Sequence, residues 1–89
     1  MAEVRLDTML RQFSAPTRAA VEASDVRGLL EGLEEKFPRL RFRIRDETGA
    51  VRRFIRVFVN GQAIDELQGL GTPLGHADQV EILHSIQGG

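Results

Sequence analysis

No cysteine occurs among the 89 residues, which excludes disulfide staples, thiolate zinc sites and a cysteine nucleophile within the chain. Tryptophan and tyrosine are absent as well, so five phenylalanines make up the whole aromatic content. Lysine occurs once, at Lys36, against eleven arginines. Nowhere do 18 apolar residues run together, and that argues against a membrane-spanning helix. Glu3 brings acid close to the start with no apolar stretch behind it, so an export signal is not expected either. No Walker or dinucleotide glycine pattern is present. These absences set the expectation of a cytoplasmic chain that does not engage a membrane.

What is present is the composition of a small globular protein. Hydrophobic residues make up 42% and charged residues 28%, with a net charge of -1. A single domain spanning 1–89 is expected, because a chain this short must gather nearly all its regular structure around one core.

Val4, Leu6 and Thr8 alternate with Glu3, Arg5 and Asp7, the period of a half-buried strand. Ser14-Ala15-Pro16 punctuates, and Ala19, Val21 and Ala23 suggest a second strand paired with the first. Ser24 or Asp25 then caps a helix carrying Val26, Leu29, Leu30, Leu33 and Phe37 at helical spacing, and Pro38 ends it. Gly28 and Gly32 each weaken such a helix by about 1 kcal/mol, which points to close approach of the sheet. From Arg39 to Arg45, Leu40, Phe42 and Ile44 alternate with four arginines, and Asp46-Glu47-Thr48-Gly49 reads as the turn of a hairpin. The chain resumes extended from Val51 to Asn60, with Ile55, Val57 and Val59 on one face. Asn60-Gly61 is a tight-turn signal. A glycine-rich loop and a last strand through Val80 and Ile82 follow.

Few residues suggest chemistry. His76 and His84 fall in different elements and have no spacing that argues for a metal site. Glu34-Glu35 and Asp46-Glu47 read as solvated pairs. Segment 39–56 holds seven arginines against two acids, a local charge of +5. A solvated face that guards a sheet edge is the favoured reading, docking to an acidic protein the next, and nucleic acid is disfavoured by the overall charge and the paucity of aromatics.

The sequence closes on Gly88-Gly89. Without a Cβ, two glycines can extend through a narrow channel and bring a terminal carboxylate to a nucleotide's α-phosphate.

Phe54-Ile55-Arg56-Val57-Phe58-Val59-Asn60-Gly61, Gly69-Leu70, Thr72-Pro73-Leu74, Asp78 with Val80 and Ile82, and Gly88-Gly89 together resemble the ubiquitin-like sulfur carrier proteins. That family holds the small subunit of molybdopterin synthase and the thiamine- and cysteine-pathway carriers. The extra hairpin near 39–53 is more similar to the molybdopterin and cysteine types. The chain departs from the family's usual pattern at His76-Ala77-Asp78-Gln79-Val80 and at His84-Ser85-Ile86-Gln87. The resemblance implies an α+β fold, the ubiquitin-like β-grasp, in which a mixed sheet of four to five strands packs on one main helix. It implies that residues 85–89 form a flexible tail.

It further implies a protein co-substrate with no catalytic side chain and no bound cofactor. The Gly89 carboxylate would be adenylated by a ubiquitin-activating-type enzyme using ATP, then converted to a thiocarboxylate, with Gly88 easing passage of the tail. A sulfur-accepting synthase or large subunit would take the sulfur for molybdopterin, cysteine or related biosynthesis. A modifier conjugated to lysines through Gly89 and a permanent synthase subunit are the alternatives. Partner recognition is expected on the sheet face without the helix, where Phe58 and Leu83 fall out of core parity and Arg56 stands at the rim. The alternative there is burial of Phe58 and Leu83 under the hairpin 39–53.

Overall fold

Asp25 begins the one α-helix of the described residues, which are 1–13 and 15–85 of this computed structural model. Its extended backbone turns the side chain toward the Gly28 amide, from which the carboxylate accepts at 2.8 Å. That bond satisfies one of the amides a helix start leaves unpaired. Helix α1 (Val26–Lys36) buries Val26, Leu29, Leu30 and Leu33 completely. Each of the three leucines contributes roughly 1.5–3 kcal/mol by leaving water. At the far end the Phe37 amide still donates to the Leu33 carbonyl at 2.8 Å, and Pro38 allows no further turn.

Five strands form one mixed sheet: β1 (Ala2–Leu6), β2 (Arg18–Val21), β3 (Ile55–Val59), β4 (Gln62–Ala63) and β5 (Gln79–His84), in the order β2-β1-β5-β3-β4. The last strand enters the centre, parallel to β1 and antiparallel to β3. Strict alternation sends Val4, Leu6, Val57, Val80 and Ile82 to one face, where they meet the helix leucines in a single core. Helix and sheet touch most closely at Gly32, where an added Cβ would lie 2.6 Å from Val21 Cγ1. Asn60 and Gly61 both take positive φ, 51° and 84°, as the tight turn between β3 and β4 requires. This is the β-grasp expected of the sequence, five strands on one main helix. Among the described residues no helix is long and apolar enough to cross a membrane.

Two readings of local structure are corrected. Thr8 does not extend the first strand but opens a 3₁₀ helix, Thr8–Phe13, that buries Leu10. Arg39–Arg45 is not a strand either. Pro38–Leu40 makes a 3₁₀ turn, and Phe42, expected beside Leu40 and Ile44, has φ 65° and is 56% exposed while those two are fully buried. No neighbouring strand offers these residues a ladder, so successive turns place Leu40 and Ile44 in the core instead. The hairpin is pinched at one pair, Arg45 with Val51, around a turn in which Asp46 accepts from the amides of Thr48 and Ala50. The four arginines consequently share no single face. Arg45 turns to the helix and makes two hydrogen bonds to Glu34, at 2.9 and 3.1 Å.

The glycine-rich stretch is more ordered than a surface loop. Thr72 is buried, its hydroxyl donates to the Gly69 carbonyl at 2.7 Å, and its own carbonyl accepts from Val26 at 3.0 Å. Leu70 and Leu74 pack against the core.

Candidate functional site

Two features converge on β5: the point where the chain leaves the sheet, and the face turned away from the helix. At the first, Asp7 follows β1 and its amide donates to the Ile82 carbonyl at 2.8 Å, extending the parallel ladder. The Asp7 carboxylate then accepts from the Met9 amide at 3.0 Å and from the His84 amide at 2.9 Å. These two bonds favour the charged form and hold the Asp7 carboxyl below its ordinary value. On the other side the Ser85 amide donates to the Phe54 carbonyl at 2.6 Å, while the rings of Phe54 and His84 stack with centroids 6.4 Å apart. His84 Nδ1 is shut away from solvent and meets no hydrogen-bond partner among the described residues. The root of the C-terminal segment is therefore clamped from both neighbouring strands. Gly88 and Gly89, on which the acyl chemistry was expected, lie outside the described residues.

At the second feature, the register sets Leu83 directly opposite Arg56 and Phe58 opposite Glu81. Phe58 and Leu83 are thus diagonal neighbours on one face, with Cα atoms about 7–8 Å apart. Leu83 is 39% exposed, and Phe58 and Arg56 are half-buried. Glu81 also faces Arg5 across β1, with an N to O distance of 3.8 Å. Leu83, Arg5 and Glu81 line a shallow cleft of about 200 Å³ with Arg18 and Thr17. Leu83 stays exposed on this face, while the hairpin segment sends Leu40 and Ile44 into the core and Arg45 to the helix. Sequence reasoning thus placed Phe58, Leu83 and Arg56 on one face and missed Asp7, Arg5 and Glu81. An aspartate just past a strand does signal a capped turn, which Asp7 makes with Met9. Its bond to His84, 77 residues away, leaves no local signature.

His84 ends β5 whereas His76 lies in the turn that precedes the strand, its Nδ1 3.2 Å from the Met1 amino group. Asp78 belongs to a turn lock: it accepts from the Gly75 amide at 2.7 Å and from Asn60 Nδ2 at 2.9 Å. Both bonds keep its carboxyl below the usual range.

The sequence model of the ThiS family matches residues 11–89. The chain belongs to the ThiS family. Mycobacterium tuberculosis sulfur carrier protein CysO is 27% identical over 89 residues, spanning 97% of this chain and 96% of the relative. A chain of the Amycolatopsis orientalis BexX/CysO complex superposes with a TM-score of 0.88 at 23% identity, with 100% of both chains covered. Small archaeal modifier protein 1 from Methanosarcina acetivorans gives 0.84 at 29% identity, covering 99% of this chain and 95% of its own. The resemblance drawn from the motifs therefore holds at the level of family and fold.

Proposed function

We propose that this chain is a sulfur carrier whose reacting group is the Gly89 carboxylate. The observation that carries this reading is the family match running through Gly88-Gly89, together with the 27% identity to the sulfur carrier protein CysO. The fold suits the role. Ser85 is anchored beside the sheet, which fixes where the chain leaves it.

In the first step a Gly89 carboxylate oxygen attacks the α-phosphorus of ATP and pyrophosphate leaves, giving an acyl adenylate. A hydrosulfide then attacks the carbonyl carbon, and AMP departs with the electrons of the cleaved C–O bond. A persulfide donor would need one further thiol to cut the S–S bond and form a disulfide. The product thiocarboxylate carries sulfur to a biosynthetic acceptor. A ubiquitin-activating-type enzyme supplies the catalytic groups, and this chain supplies the acyl group and the docking face of Phe58, Leu83 and Arg56.

A second reading, attachment to lysines of other proteins, is favoured by the likeness to small archaeal modifier protein 1. It shares the adenylation step. ATP–pyrophosphate exchange by the host's activating enzyme should depend on this chain and vanish when Gly88 and Gly89 are deleted. Exchange that ignores the chain would defeat both readings, and a ladder of conjugates on a blot would favour the second.

A further inference from the structure

Segment 39–56 holds most of the protein's arginines, and the structure separates those already neutralised from those that are not. Arg45 is taken up by Glu34, Arg5 faces Glu81, and Arg18 faces Glu3. Among the described residues no carboxylate lies within ion-pair distance of Arg43, Arg52 or Arg53, although the Asp46 carboxylate is near enough to Arg52 to feel its charge, so Arg43 and Arg53 are the less compensated of the three. These three are exposed yet fixed in place. The guanidinium of Arg43 lies 4.7 Å above the Phe13 ring, that of Arg53 lies 5.6 Å from the centre of Phe54, and Arg52 Nε donates to the Phe42 carbonyl.

All three adjoin the root of the C-terminal segment. Arg43 and Arg52 line a cleft of about 320 Å³ with Phe13 and His84. Arg53 covers Phe54, whose ring stacks on His84 and whose carbonyl holds Ser85. We propose that Arg43, Arg52 and Arg53 form a receptor for a carboxylate-rich protein surface on the partner that handles the tail. The identity of that partner rests on the sulfur-carrier reading, but the anion preference does not.

Edge protection does not account for the arrangement, because none of the three sits in a strand of the sheet. Stacking and the Phe42 carbonyl hold the forks in place before contact, which lowers the entropy lost on binding. Nucleic acid is a poorer fit. The total charge is -1, and of the aromatics beside these arginines Phe13 and Phe54 are already covered by guanidiniums, which leaves bases a single open ring, Phe42, where a stacking platform uses several.

The test is a titration of the full chain, followed by NMR, with a short poly-glutamate peptide and separately with a single-stranded oligonucleotide of equal charge. The peptide should shift the Nε–H signals of Arg43, Arg52 and Arg53 and the amides of His84 and Ser85, and added salt should reverse the effect. Tighter binding of the oligonucleotide, or peptide shifts that avoid these residues, overturns the proposal. With the activating enzyme, R43Q/R52Q/R53Q should associate roughly tenfold more slowly and with a flatter salt dependence, as steering charges do. R53Q alone serves if the triple variant is not folded. Unchanged association of the folded variant also overturns the proposal. If the wild-type chain is never adenylated, the sulfur-carrier reading fails by itself, and the peptide titration still reports on the arginines.

Discussion

The Asp7 carboxylate accepts from the backbone amide of His84, joining the end of the first strand to the end of the last. The bond fixes where the chain departs from the sheet, and so where a tail of given length can reach. Asp7→Asn keeps the size but removes the charge, and it should destabilise the fold by about 1–2 kcal/mol through two weakened amide bonds. Hydrogen exchange at His84 should accelerate more than at Val80, a contrast that a uniform loss of stability would not produce.

The same carboxylate sets a pH dependence. Its bonds hold the folded-state pKa below the ordinary carboxylate value. The stability it contributes is therefore fully present above the unfolded value of about 4 and is lost as pH falls through the lower folded value. Urea midpoints measured from neutrality into acid should fall in that window, and less steeply in Asp7→Asn.

Gly32→Ala should lower stability by about 1–2 kcal/mol even though alanine favours helix by nearly 1 kcal/mol. The added methyl would meet Val21 Cγ1 at 2.6 Å, and Val21 is itself buried, with little freedom to move. Pairing it with Val21→Ala should recover part of the loss, which urea unfolding of the four variants would show.

These residues also mark how far the sequence could be read. Asp25, Asn60-Gly61 and the alternation in β3 and β5 act through neighbours in the chain, so cap, turn and core face were legible. Gly32 was legible as a close approach, though not its contact with Val21. The segment 39–45 misled, because its alternation had the period of a strand but no partner strand to complete it. Arg43, Arg52 and Arg53 gather at His84 only through the tertiary fold, and the bond between Asp7 and His84 is equally non-local. The reading of Gly88 and Gly89 as the reacting end rests on the sequence, since both lie outside the described residues.

The glutamate under Arg45 offers a further check. Both side chains are 14% exposed and share two hydrogen bonds. Glu34→Gln should destabilise by about 1–3 kcal/mol, since it leaves a largely buried guanidinium with a neutral partner. Thermal unfolding should then reveal a loosened 39–53 segment in its amide spectra before the sheet melts.

On the open face, Leu83→Ala removes a side chain that is 39% exposed and should leave folding nearly unchanged. Binding to an activating enzyme should weaken by about 1–3 kcal/mol, and Phe58→Ala should act in the same direction. Calorimetric titration that gave wild-type affinity for both folded variants would remove this face from the docking surface.

The most direct measurement is intact mass spectrometry of the chain after incubation with the host's activating enzyme, ATP and sulfide. The sulfur-carrier account predicts a mass rise equal to one oxygen replaced by sulfur, located at Gly89 by fragmentation and absent from a chain lacking that residue. An unchanged mass in the presence of an enzyme that adenylates the chain would contradict it.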